Sequence, residues 1–213
     1  MKISIVVTQE EHFKFAQEIC DTIESSALLR GTGIAKRTPE YIQKKMSNGD
    51  AMIALADGKF AGFCYIESWQ HGKFVAHSGL IVHPDYRSLG LAKKIKSKVF
   101  DYSLERYPDA KIFGITTGLA VMKINSDLGY KPVPFSELTT DPSFWAGCKT
   151  CTNYEILKSK ENKMCLCTGM LYDPKDKQKE PPKHPFNVAV LSRLKKIKQA
   201  LFLNKTLFFG FLS

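Results

Sequence analysis

The stretch Leu80-Ile81-Val82-His83-Pro84-Asp85-Tyr86-Arg87-Ser88-Leu89-Gly90-Leu91-Ala92 decides the fold. Three apolar residues run into a proline-containing turn, and the turn ends at a glycine that opens a helical pattern. The first peptide N–H groups of a helix have no partner inside it. Together with the helix dipole they favour an anion at that end. Gly90 lets a ligand reach the backbone with no Cβ in the way, and the small Ala92 keeps the helix start open. Arg87, Lys93 and Lys94 add positive charge around it. The R-x-x-G-x-A turn is therefore a candidate phosphate-binding loop, and the strand before it offers its backbone to an extended ligand. The plainer reading is a strand-to-helix connection whose glycine serves geometry alone. The pattern is short, and its weight comes from its place after a series of strands.

Upstream, residues 2–8 (KISIVVT) read as a strand. Residues 10–29 carry Phe13, Ala16, Ile19, Ile23 and Leu28 at helical spacing. A loop with Arg30, Lys36 and Arg37 follows, and Thr38-Pro39-Glu40 then caps a second helix. Residues 51–56, 60–69 and 74–82 read as strands joined by Asp57-Gly58 and His71-Gly72 turns, an antiparallel meander. Downstream, residues 91–104 form an amphipathic helix with Ile95 and Val99 on its apolar side and Lys93, Lys94, Lys96 and Lys98 elsewhere. A strand at 111–116, a helix at 119–128 and an extended stretch from Gly129 complete an α+β order of β-α-α-β-β-β-α-β-α-β.

The series resembles the GNAT superfamily of N-acyltransferases, whose motif A reads Q/R-x-x-G-x-G/A. The resemblance covers residues 1–138 and implies a mixed, mostly antiparallel central sheet flanked by helices and splayed near residues 80–82. It implies acetyl-CoA, or another acyl-CoA, as co-substrate. The positions that then face the cofactor are Leu80, Ile81, Val82, Arg87, Ser88, Leu89, Gly90, Leu91 and Ala92. A narrower likeness is to the acyltransferase domain of bacterial N-acetylglutamate synthase. It rests on Arg37-Thr38, Val82-His83-Pro84-Asp85-Tyr86-Arg87, Thr116-Thr117 and Gly129-Tyr130-Lys131-Pro132-Val133. It implies a small amino acid, glutamate first, as acceptor, and a place in arginine biosynthesis.

An amine attacking a thioester must be neutral, and the leaving thiolate needs a proton. Glu67 and His77 are the candidate bases on the strands, each with the alternative of being an ordinary strand position. Those synthases carry a Glu where Ala76 stands here. Many family members place a tyrosine acid where this chain has Asn125, so either Thr117, Ser126 or water protonates the sulphur, or no acid is needed because a CoA thiol leaves fairly readily. Arg37, with Lys36 and Arg30, is the candidate grip for acceptor carboxylates, because a guanidinium can hold a carboxylate with two parallel hydrogen bonds. A solvated basic loop is the alternative. A protein or peptide amine is the rival acceptor, and a non-catalytic acyl-CoA sensor the rival class.

Two features lie beyond the resemblance. Cys148-Lys149-Thr150-Cys151 and Cys165-Leu166-Cys167 pair four thiols at spacings that suit a structural Zn²⁺. The alternative is a set of reduced, half-buried thiols. Residues 139–174 are thus read as a Cys-rich extension. Residues 175–213 are read as a basic linker and an amphipathic helix, which docks on the body or on a second copy of the chain rather than on a membrane. The charge excess is uneven. Lys and Arg total 31 against 21 acids, and of the resulting +10, a share of +6 (eight bases, two acids) falls after residue 175. That leaves little support for nucleic-acid binding by the main domain. No apolar run approaches the ~20 residues of a membrane span and no secretory leader is visible, so a cytoplasmic protein is expected.

Overall fold

The computed structural model describes residues 1–29 and 34–178. Arg30 and the C-terminal helix expected over 188–202 lie outside the described residues. The compact unit to which nearly all described residues belong is Met1–Asp176. Its elements follow the expected order: β1 (Ile3–Val7), α1 (Ala16–Leu29), α2 (Pro39–Ser47), β2 (Ala51–Ala56), β3 (Lys59–Trp69) and β4 (Phe74–Val82) come first. Then come α3 (Leu91–Arg106), β5 (Lys111–Thr116), α4 (Leu119–Asp127) and β6 (Lys131–Val133). Thr38 caps α2 by accepting a hydrogen bond from the Tyr41 peptide N–H, with Pro39 at the first helical position.

With a last strand, β7 (Thr168–Tyr172), the strands form one seven-stranded sheet among the described residues, in the order β1-β2-β3-β4-β5-β7-β6. Every pairing is antiparallel except β4 with β5. Both faces are covered, so β3 reads as an almost unbroken apolar run instead of alternating. Phe63 and Tyr65 pack on the α1–α2 side, while Cys64 and Ile66 pack under α3. Ala61 is the extra residue of a bulge against β2, where the register steps from Ala54↔Gly62 to Leu55↔Phe60.

The segment after residue 138 differs from the expected appended extension. It folds as α5 (Pro142–Ala146), α6 (Tyr154–Ser159) and β7 (Thr168–Tyr172). β7 is inserted between β5 and β6, pairing with both. The expected break at 138 is therefore not a break in the sheet. The compact unit takes in both 1–138 and 139–174, because β5 would otherwise present an unpaired edge from Ile112 to Thr116. Among the described residues no helix is long and apolar enough to cross a membrane.

Candidate active site

The sheet opens between β4 and β5. They pair only at Phe74↔Lys111, Val75↔Ile112 and Ala76↔Phe113. Beyond Ala76, β5 stays with β7 as far as Thr116↔Thr168, while β4 stays with β3 as far as Val82↔Gly62. The parting coincides with a bulge in β4. The β3–β4 register shifts between Phe63↔Ile81 and Tyr65↔Ser78, and Gly79 adopts a left-handed φ of 65°. A Cβ on Gly79 would lie 2.6 Å from Tyr65 Cε1, so this strand position requires glycine twice over. The edge of β4 facing the gap, Ser78 to Val82, carries peptide groups with no β5 partner.

The gap leads to the start of α3. Gly90 caps that helix at φ 69°, Ser88 is also left-handed at φ 64°, and a Cβ on Gly90 would meet nothing within 4 Å. The Lys94 N–H donates to Gly90 O, so the amides ahead of it point out of the helix end. No acidic residue occupies the first turn. Successive outward amides of this kind form an anion cradle. The side chains divide the labour differently from expectation. Arg87 donates from Nη2 to Ser26 Oγ at 2.8 Å and from Nε to Val82 O at 3.4 Å, so it braces the turn against α1 and the end of β4. Lys93 is paired with Asp127 at 2.7 Å on the surface. Leu91 is buried in the core, leaving only its backbone to face a ligand, whereas Leu89 stands half-exposed.

On the α1–α2 face, Tyr65 lies under the Gly79 bulge and collects a polar cluster. Arg37 donates from Nε to Tyr65 Oη at 2.7 Å and from Nη1 to Ala35 O. Burial works against its charge, but Tyr65 above all, then Tyr41 and Glu67, outweigh burial and hold the guanidinium protonated. Glu67 accepts from Tyr41 Oη at 2.6 Å and pairs with Lys45 at 3.0 Å. Burial, with Tyr65 and Glu67 beside it, drives the Tyr41 hydroxyl far above the usual phenol range, so it stays a proton donor to Glu67. Lys36 is exposed and pairs with Glu24 at 3.5 Å, while its peptide N–H donates to Thr150 Oγ1 at 2.8 Å.

His77 requires a correction. It is not an open base beside Glu67 but lies on the opposite, α3 face, only 8% exposed. Its Nδ1 accepts from Lys96 Nζ at 2.8 Å and faces Tyr130 Oη at 3.2 Å, and its Nε2 meets Ser103 Oγ at 2.9 Å. Both ring nitrogens are engaged, and burial, with Lys96, pushes the ring's pKa well below its ordinary 6.5. The register explains the placement: His77 pairs with Ile66, one position past Glu67↔Ala76, and neighbouring strand residues face opposite ways. Lys96 departs from expectation too. It is 3% exposed, and burial pulls its ammonium down to about 8. Sequence spacing placed it off the apolar stripe, yet it lies beside Ile95 and its long stem reaches inward to His77. Asn125, where a tyrosine acid would stand, is buried with Oδ1 lacking a hydrogen-bond partner among the described residues.

Cys148, Cys151, Cys165 and Cys167 are all half-buried, unpaired thiols lining one concavity beside Ile115 of β5. Burial first, then the neighbouring thiols, push Cys148 up to about 11 and Cys167 up to about 12. Among the described residues no group of three or more His, Cys, Asp or Glu side chains already stands arranged to hold a metal ion. Cys20 and Cys64 are buried in the core.

The sheet thus parts after the fourth strand, beside a left-handed turn whose amides face outward. Residues 21–119 match the model of the acetyltransferase (GNAT) family. Those residues carry a GNAT acetyltransferase domain. No curated protein matches the sequence. Among solved structures it is similar to N-acetylglutamate synthase from Neisseria gonorrhoeae in complex with coenzyme A and N-acetyl-glutamate. That match has a TM-score of 0.59 at 13% identity, over 81% of this chain and 35% of that one. The chain thus spans about a third of the synthase chains it matches. It is also similar to a phosphinothricin acetyltransferase from Sinorhizobium meliloti in complex with acetyl-CoA (0.54, 12%, 81% and 89%). A third likeness is to the ribosomal-protein-S18-alanine N-acetyltransferase from Escherichia coli (0.51, 12%, 81% and 94%). At these identities the likeness concerns the fold, and the acceptors named differ among the three.

Proposed function

We propose that the chain transfers an acetyl or closely related acyl group from acyl-CoA to the amine of a small amino acid, with glutamate the first acceptor to test. The observation that carries the donor half is the parting of β4 from β5 beyond Ala76, ending at the Gly90 turn. An extended pantetheine arm adds to the free edge of β4 as another strand would. The pyrophosphate then meets the amides of residues 88–92.

In the reaction the amine nitrogen attacks the thioester carbonyl carbon, the C–S bond breaks, the amine loses a proton and the thiolate gains one. Glu67 is the proposed base, acting directly or through one water, with Tyr41 and Lys45 fixing its position. Asn125 has no proton to give, which leaves Thr117, Ser126 or water for the sulphur. Arg37 is the proposed carboxylate grip: Nε and Nη1 are engaged, Tyr65 fixes the plane, and Nη2 is left to donate to the carboxylate. Lys36 adds a second cation at the surface. Two things support an acidic amino acid: this cationic side of the cleft, and the N-acetyl-glutamate held by the similar synthase. On that reading the enzyme serves arginine biosynthesis, and its six unpaired cysteines suit a reducing cytoplasm.

The test is calorimetry with coenzyme A, followed by acetyl-CoA with each amino acid and with short peptides, recording thiol release. The expected result is CoA binding and turnover confined to glutamate or a close relative. Turnover on peptide amines alone would move the acceptor to protein. Binding without any turnover would leave a sensor, and no binding at all would overturn the acyl-CoA reading.

A further inference from the structure

Four cysteines stand outside the machinery assigned to acyl transfer. Cys148 lies in the tight turn Gly147–Thr150 and Cys151 follows it directly. After thirteen intervening residues come Cys165 and Cys167, the latter leading straight into β7. The fold gathers all four around one concavity with Ile115 of β5 and Leu157 of α6. None is in a disulfide and all are half-buried. The Asn153 peptide N–H donates to Cys151 Sγ at 3.5 Å, the kind of amide-to-sulphur bond that steadies a metal-bound thiolate. The surrounding segment rests on the core through Trp145 and Leu157, and Cys148, Cys165 and Cys167 lie at the edge of that cluster. α5 has five residues and α6 has six, too short to persist as isolated helices.

We propose that Cys148, Cys151, Cys165 and Cys167 together bind one structural Zn²⁺. Four thiolates complete a tetrahedral shell and leave no position for substrate, so the metal holds shape and takes no part in acyl transfer. Uptake exchanges four S–H bonds for four Zn–S bonds and sends up to four protons to solvent. Cys165 Sγ lies 3.9 Å from Asn153 O, to which it donates, and also makes a side-chain hydrogen bond with Cys167. The sulphurs share a concavity, and among the described residues they do not already stand arranged around a metal position.

The site reaches toward the acceptor side. Thr150, inside the first cysteine pair, accepts from the Lys36 peptide N–H at 2.8 Å, and the next residue is Arg37. Thr168, next to Cys167, pairs with Thr116 at the far end of β5. A metal here ties together the loop before α2, the α5–α6 segment and the β5–β7 pair.

The experiment uses the full chain, purified with reductant and without chelator. Elemental analysis is expected to find about one zinc per chain. Cobalt(II) added to the metal-stripped protein should give sulphur-to-metal charge-transfer bands and tetrahedral d–d bands, saturating at one equivalent. The double variant Cys165→Ser/Cys167→Ser should lose both signals, and Cys20→Ala should keep them. Should the double variant not fold, the cobalt titration of the wild-type chain decides by itself. Metal content in the wild type no higher than in the double variant, a cobalt spectrum without charge-transfer bands, or a mass showing a native disulfide among the four would each overturn the proposal. Coenzyme A binding, measured on the same samples, is expected to be unchanged by metal removal, so failure here is separable from failure of the acyl-CoA reading.

Discussion

Lys96→Met should make the protein more stable at pH 7, although it removes a buried hydrogen bond. Lys96 is buried beneath β4, donates to His77 Nδ1 at 2.8 Å and lies 5.1 Å from the Tyr130 ring centre. No carboxylate is among the causes of its shift, and burial lowers its pKa from 10.5 to about 8. That difference corresponds to about 3 kcal/mol charged against the fold wherever the ammonium is protonated in both states. Below pH 8 the whole penalty applies. Between about 8 and 10.5 the folded lysine is neutral while the unfolded one still binds a proton, so stability rises with pH. Above 10.5 the penalty is gone.

Methionine fills a similar volume without a charge, at the loss of one hydrogen bond of about 1 kcal/mol. The variant should therefore be about 2 kcal/mol more stable than wild type at pH 7, and slightly less stable above pH 10.5. Urea unfolding at pH steps from 7 to 11, on wild type, Lys96→Met and the exposed control Lys94→Met, measures the crossing. A wild-type-minus-variant difference that stays flat across this range would refute the argument, as would a several-kcal/mol loss in Lys96→Met at pH 7.

His77 carries the same sign at lower pH. Its folded pKa lies below its ordinary 6.5, so stability should fall as pH drops below 6.5, and a urea midpoint that is level from pH 7 to 5 would contradict the buried neutral ring. Arg37→Ala should raise the acceptor KM about 10- to 100-fold with CoA affinity unchanged, as for loss of a charged hydrogen bond. Equal KM in variant and wild type would remove Arg37 from the site. Gly79→Ala forces a left-handed alanine and a Cβ 2.6 Å from Tyr65, which should cost about 2–4 kcal/mol and disturb the Arg37 contact. Wild-type thermal stability there would show that the bulge tolerates a side chain. Gly90→Ala meets no atom within 4 Å, so its cost is the left-handed strain of about 1 kcal/mol. The added methyl narrows the anion cradle and should weaken CoA by about tenfold, and calorimetry showing unaltered affinity would place the phosphates elsewhere.

Local signals carried the elements of the proposed donor half of the site. The apolar run to Val82, the glycine-ended turn and the amphipathic helix from Leu91 are each set within a dozen residues, so period and turn chemistry suffice to find them. Thr38-Pro39 and Asp57-Gly58 marked a helix start and a hairpin for the same reason. The order of elements up to residue 135 follows from these short-range rules.

What depended on distant partners was not legible. Whether His77 faces the cleft or the core depends on the strand register, and on both sheet faces being covered, which removes the alternation that would mark an outward side. Lys96 is drawn inward by a strand 19 residues earlier. The Arg37–Tyr65–Gly79 arrangement joins three elements, and only the bulge in β4 brings them together. β7 enters the sheet from beyond the expected boundary because β5 needs a second neighbour once β4 departs, a demand that no local pattern near residue 168 could announce.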